Sequence, residues 1–284
     1  MHECDLVLYA DDIVLHRRNS SLQTLELEMN ESMFRFNDYC NYNYLTVNNK
    51  KTVHIEFSTL SPSNGIVIKN GNSIIQQVSE FKYLGVIIDK NLKHFQHLDY
   101  LVVYMKKQIG ILSNIGKLFN FKACISYYYS CIYSKLNYCI IVWGGVLIAH
   151  GYSNKLKKVH NRLVKLLFGR FFSFKHSYEL FAPLKFLKLI DIYRYNVMIT
   201  LYKINNNNII PFMFRNFVSN NFQHGYNTRR TILRVPICAK FSMLSFNFVF
   251  RAIQIFNDIP EFIKNIRVFS SFKKALKDYF IDSY

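Results

Sequence analysis

Leu6-Val7-Leu8-Tyr9-Ala10-Asp11-Asp12-Ile13-Val14-Leu15 sets two apolar runs on either side of a short acidic break. The runs have the branched and aromatic content of strands, and Asp favours turns because its side chain hydrogen-bonds its own backbone. The stretch predicts a β-hairpin with Asp11 and Asp12 at its tip. Two carboxylates on a rigid mount suit a hard divalent cation. Mg²⁺ takes oxygen ligands in near-octahedral geometry and retains waters or substrate phosphates, so a protein needs to supply only a few. An Asp-Asp pair also has a purely backbone explanation in a turn, so the surrounding chain decides its meaning.

Working outward, Ser20 with Gln23 three residues on forms a capping-box signature, and Leu22, Leu25, Met29, Met33 and Phe36 recur at helical spacing. They predict a helix packed on the hairpin. Past Asn41 the period changes to two. Thr52–Phe57 is an expected strand, Ile66–Lys69 and Ser73–Ile75 flank an Asn70-Gly71 turn signal, and Phe81–Ile88 is read as one further strand. From about Asn91 the pattern is helical, with segments expected at Leu98–Leu118, Lys122–Val142, Ser153–Phe168 and Ile190–Ile204. The Asn205–Asn208 run is read as a loop, and the polar, basic stretch Asn216–Cys238 as a surface wrap. Two last helices, about Ser242–Phe256 and Phe269–Phe280, are separated by Asn257-Asp258-Ile259-Pro260.

Composition narrows the class. With 50% hydrophobic residues in 284 the chain has material for a sizeable core. Its 36 Lys and Arg against 18 Asp and Glu leave +18, the balance of a partner of polyanions, nucleic acid first. Over-use of Asn, Lys, Ile, Phe and Tyr, all with A/T-rich codons, is a second source of the same excess. No basic region followed by an apolar stretch marks a signal peptide near Met1. The most apolar run, Cys139–Ala149, falls short of the ~20 residues of a spanning helix and is expected to be a buried helix end, so no membrane partner is indicated. The six cysteines form no C-x-x-C pair. Cys124, Cys131 and Cys139, about two helical turns apart, are expected on one helix face as reduced, intracellular thiols. His94 and His97 share a helix face without a third ligand, and a solvated face is expected there.

Tyr9-Ala10-Asp11-Asp12 resembles the Tyr-x-Asp-Asp motif C of reverse transcriptases, in the Ala form common in non-LTR elements. Leu45–Thr52, with Asn48, two residues, Lys51 and Thr52, resembles motif D. Phe81-Lys82-Tyr83-Leu84-Gly85-Val86-Ile87-Ile88-Asp89 resembles motif E, the primer grip. Leu156–Val164 is similar to the basic helix after the thumb in Jockey-like elements. Tyr226-Asn227-Thr228-Arg229-Arg230, Phe256–Pro260 and Ser271–Lys277 resemble their C-terminal tail, with Phe256 where Trp is usual.

The resemblance implies an α+β fold: the C-terminal part of a reverse-transcriptase palm over 1–91, a helical thumb over 92–150, and a helical basic region over 151–284. It implies that Asp11 is a catalytic metal ligand and Asp12 a secondary carboxylate, holding Mg²⁺ of a two-metal site, and that Tyr9 neighbours the primer end. Lys51 would stabilise or protonate the leaving pyrophosphate. Lys82, Tyr83, Leu84 and Gly85 would grip the primer, and Lys106 and Lys107 would contact phosphates, as Lys117, Lys122 and Lys135 also do on this reading. The partners implied are an RNA template and a DNA primer, and the compartment nuclear. Because the tetrad lies a few residues after Met1, motif A with its catalytic Asp, motif B and the fingers, which precede the tetrad in the family, are expected to be missing from this chain, and the family's endonuclease domain would also be N-terminal. The chain by itself is expected not to polymerise. A noncatalytic nucleic-acid-binding protein is the alternative of another class. A group II intron maturase fits the tetrad but not the Lys82–Gly85 grip or the Tyr226–Arg229 tail.

Overall fold

The computed structural model describes residues 5–57, 65–148, 153–172, 176–207 and 248–284. They fall in two compact units, Met1–Asn91 and Leu92–Tyr284. Helices mixed with short strands make the architecture α+β. The Asn216–Cys238 stretch, including Tyr226–Arg230, lies outside the described residues.

In the first unit β1 (Asp5–Tyr9) and β2 (Asp12–His16) pair antiparallel. The chain then enters α1 (Leu22–Tyr42). Ser21, not Ser20, is its N-cap, its hydroxyl accepting the Thr24 N–H at 3.4 Å, while Asn19 Oδ1 accepts the Ser21 N–H at 3.1 Å. That Asn19 turn moves the helix start one residue past the expected Ser20–Gln23 box. Arg17, just after β2, donates to Glu28 at 2.8 Å and to Ser32 at 3.2 Å, tying the hairpin to α1. Met33, Ile68 and Ile75 form the core beneath, with Leu15, Met29 and Ile66 against it.

The expected strand Thr52–Phe57 shrinks to β3 (Val53–His54). β4 (Lys69–Asn70) and β5 (Ser73–Ile74) form a hairpin, and β6 (Gln76–Gln77) pairs in parallel with β3. The β4–β5 register, Asn70 opposite Ser73, makes Gly71-Asn72 the turn, one residue past the Asn70-Gly71 signal. Gly71 takes the positive φ of 57° there. Asn30 on α1 receives this edge, its amide donating to Val67 O at 2.9 Å and its carbonyl accepting the Lys69 N–H at 2.7 Å. Phe81–Ile88 is not one strand but a hairpin of β7 (Glu80–Tyr83) and β8 (Val86–Asp89).

The second unit runs α2 (Phe95–Ile115), α3 (Phe121–Tyr127), a π turn over Tyr128–Tyr133, α4 (Ser134–Asn137), α5 (Ile140–Trp143) and α6 (Asn154–Phe168). It continues with α7 (Leu189–Asn207), α8 (Phe248–Asp258), α9 (Glu261–Lys264) and α10 (Phe269–Asp282). The α2–α6 pair is the most extensive packing between helices. α2 buries Leu98, Leu101, Met105 and Leu112, and α6 buries Leu156, Leu163, Val164 and Leu167. Each contributes about 1.5–3 kcal/mol by leaving water. Tyr284 closes the chain on α7. Its O–H donates to Asp191 at 2.9 Å, its oxygen accepts the Lys188 N–H at 2.7 Å, and the Lys188 ammonium lies 3.7 Å over its ring.

Four expectations are corrected here. The single helix Lys122–Val142 is broken, because the π turn inserts a wider loop and Cys139 takes a positive φ of 48°. The three cysteines therefore do not share one face: Cys124 is fully buried, while Cys131 and Cys139 are partly exposed. His94 and His97 are not solvated. Both are buried, the His97 ring meeting Trp143 edge-on at 5.3 Å. The Asn205–Asn208 run is not a loop from its start, since α7 continues through Asn207. Among the described residues no single helix is long and apolar enough to cross a membrane. Ile140, Trp143, Val146 and Leu147 of the apolar run are buried instead.

Candidate functional site

The first ladder decides how the acidic pair is presented. Tyr9 lies opposite Asp12, so Ala10 and Asp11 are the two turn residues and Asp12 opens β2 rather than belonging to the break. Ala10 takes a φ of 52° to close so tight a loop, in the left-handed region that L-residues seldom enter. Tyr9 is 62% exposed, and both carboxylates face solvent. Neither has an ion-pair partner among the described residues. Leu6, Val7 and Leu8 are each about half exposed, so both faces of β1 are left open by the described residues.

The exposed carboxylates of the consecutive residues Asp11 and Asp12 fit Mg²⁺ in kind, being hard oxygen donors with room for water and phosphate ligands. Among the described residues they are not joined by a third Asp, Glu, His or Cys.

Lys51 sits in a loop that Asn48 builds. The Asn48 side-chain carbonyl accepts the N–H groups of Lys50 at 3.1 Å and Lys51 at 3.3 Å. Its backbone carbonyl accepts the Lys51 N–H at 3.0 Å and the Thr52 hydroxyl at 2.9 Å. Asn49 then accepts the Asn70 amide at 2.6 Å, pinning the loop to β4. This explains Asn at the head of the segment and Thr at its end: each satisfies backbone groups, leaving the Lys51 side chain exposed. The structure brings no ion pair between Lys51 and Asp11 or Asp12 among the described residues.

The β7–β8 hairpin turns on Leu84 and Gly85, both at positive φ, 44° and 83°. Gly85 suits that conformation and Leu84 does not, at a cost of roughly 1 kcal/mol. Lys82 is exposed on β7, and the Tyr83 hydroxyl is buried with no hydrogen-bond partner among the described residues. Lys106 and Lys107 stand exposed on α2, in the second unit.

Sequence reasoning missed two things. One is the Arg17–Glu28 pair that braces the acidic hairpin; a cation following β2 and an acid in the second turn of α1 were the available signal. The other is a cavity of about 100 Å³ walled by Tyr129, Tyr133, Phe186 and Tyr195 with Lys277, which contains none of the expected site residues. Its residues come from distant parts of the chain and share no motif.

Over 167 residues the chain is 28% identical to a Drosophila melanogaster protein described as "Probable RNA-directed DNA polymerase from transposon BS". The match covers 57% of this chain and 18% of that protein, so the chain spans less than a fifth of the relative's length. No family model matches the chain. No solved structure matches it. The chain is thus similar, in part, to a transposon reverse transcriptase.

Proposed function

We propose that this chain is the C-terminal part, from motif C of the palm through the thumb and a basic helical region, of an RNA-directed DNA polymerase of a non-LTR, Jockey-like transposable element, and that it binds an RNA template with a DNA primer. The observation that carries the reading is the pair of exposed carboxylates at the Tyr9–Asp12 hairpin tip, within a chain partly similar to a transposon polymerase. Asp11 and Asp12 would hold Mg²⁺, which when bound offsets the negative charge on attacking and leaving oxygens in nucleotide transfer. Tyr9, beside them on β1, lies against the primer end. Lys51, held out by the Asn48 loop, faces the departing pyrophosphate as a cation and proton donor. The Leu84–Gly85 turn lets backbone approach backbone while Lys82 meets a primer phosphate and Tyr83 supports the grip. Lys106 and Lys107 contact duplex phosphates. On this reading catalysis needs a further carboxylate from a motif A strand, and residues 1–284 by themselves do not extend a primer.

A second reading, a noncatalytic nucleic-acid-binding protein, draws on the net charge of +18 and on the carboxylate pair having no third ligand among the described residues. Two measurements on the purified chain separate them. Mn²⁺ standing in for Mg²⁺ is titrated by water-proton relaxation, and binding is compared between an RNA–DNA duplex with a recessed 3′ end and the same duplex with blunt ends. The polymerase reading expects Mn²⁺ binding that Asp11→Asn/Asp12→Asn abolishes and a preference for the recessed end. Equal Mn²⁺ binding by the variant, or indifference to the 3′ end, refutes it. Primer extension by residues 1–284 would overturn the expected inactivity.

A further inference from the structure

From Tyr100 to Tyr178 the chain contains twelve Lys and Arg residues and no Asp or Glu. A third of the cations thus fall in a stretch with none of the 18 acids, so the +18 is concentrated rather than spread. Within it, α6 sorts its residues sharply. Leu156, His160, Leu163, Val164 and Leu167 are buried. Lys155, Lys158, Arg162 and Lys165, at steps of three, four and three, fall on the opposite side, and all four are exposed. No ion pair engages any of them among the described residues.

Four unneutralised cations in a row repel one another, and a helix that only needed solubility would interleave acids at i+4. From Lys155 to Lys165 the row advances ten helical steps, a length of about 15 Å at the helical rise. Over about 15 Å of axis one strand of a nucleic-acid duplex carries roughly four phosphates. Because its other face is anchored in the core against α2, the row is a rigid line of charge and matches a rigid duplex strand better than a flexible single strand.

We propose that the exposed face of α6 is a binding site for the phosphate backbone of one strand of a nucleic-acid duplex, with Lys155, Lys158, Arg162 and Lys165 as the contacting cations. The choice of a duplex among polyanions rests on the polymerase reading; the charged row does not. Each contact displaces a counterion, so affinity through this face is sequence-independent and falls steeply with salt.

The test uses the full chain, an RNA–DNA duplex of mixed sequence, the same RNA single-stranded, and fluorescence anisotropy at several salt concentrations. The variant is Lys155→Gln/Lys158→Gln/Arg162→Gln/Lys165→Gln. The control removes four exposed cations elsewhere, Lys203→Gln/Arg267→Gln/Lys273→Gln/Lys274→Gln. At about 0.9 per lost contact, the slope of log affinity against log salt should fall by about 3–4 for the α6 variant on duplex. The control should change it by less than about 1. An unchanged slope in the α6 variant, an equal drop in the control, or a loss confined to single-stranded RNA overturns the proposal. If the unaltered chain binds duplex through α6 but ignores a recessed 3′ end, the polymerase reading fails and this site stands. If the unaltered chain binds no duplex, both fail.

Discussion

His160 Nε2 lies 3.2 Å from the Tyr128 hydroxyl inside the helical unit, and His160 Nδ1 is buried with no hydrogen-bond partner among the described residues. The Phe181 ring meets the imidazole edge-on at 5.3 Å. A proton added to this ring gains no water there, and burial holds its pKa down at about 4.

That pairing sets a pH dependence. The folded pKa lies below the unfolded value of about 6.5, so between the two the unfolded chain binds more protons. Stability from this group is full above about pH 6.5 and is lost as pH falls towards 4, by about 3 kcal/mol in all. Asp191 acts with the opposite sign: burial raises its carboxyl, so its contribution weakens as pH rises. The difference between wild type and His160→Gln isolates the histidine. Urea unfolding at several pH values should show the acid loss in wild type and a flatter profile in the variant. Parallel profiles would count against an uncharged His160.

Gly144 begins the turn that packs on α7, and a Cβ there would overlap the Tyr193 ring. Tyr193 is fully buried and has nowhere to move. Gly144→Ala should therefore cost about 1–3 kcal/mol, although Ala is ordinarily the better residue in a helical turn. A thermal melt reads it. A variant as stable as wild type would mean that the Tyr193 ring yields.

Asn48→Ala removes the side-chain acceptor of the Lys50 N–H, while the Lys51 N–H keeps its bond to the Asn48 backbone carbonyl. The stability cost should be about 1 kcal/mol, with faster amide exchange at Lys50 above all. Asn48→Asp keeps the acceptor and should restore protection. Unchanged exchange in Asn48→Ala would show that the loop holds without it.

Asp11 and Asp12 make no ion pair among the described residues and are exposed, so Asp11→Asn/Asp12→Asn should shift stability by no more than about 0.5 kcal/mol. Mn²⁺ binding should fall all the same. A large loss of stability in urea would assign the pair a structural task instead of a metal site.

The acidic hairpin and α1 were readable from sequence because both rest on neighbours in the chain: Leu6–Tyr9 and Ile13–Leu15 flank their own turn, and Met29 and Met33 recur at helical spacing. The β7–β8 hairpin was not, because Leu84 is a poor residue for positive φ and hides the turn within an apolar run. The Lys51 loop could be quoted as a motif, yet its cause, Asn48 closing on three later residues, is a matter of hydrogen-bond geometry.

Charge excess, the acidic turn and the helical character after Asn91 were written in the residues themselves, since composition, turn chemistry and periodicity act over a few positions. Only tertiary packing decided that His94, His97 and His160 are buried and that the helix from Phe121 breaks into a π turn and again at Cys139. Each of these depends on residues far away in sequence. Burial removes the water that would have solvated an imidazole, and packing outweighs a local propensity of less than about 1 kcal/mol per residue.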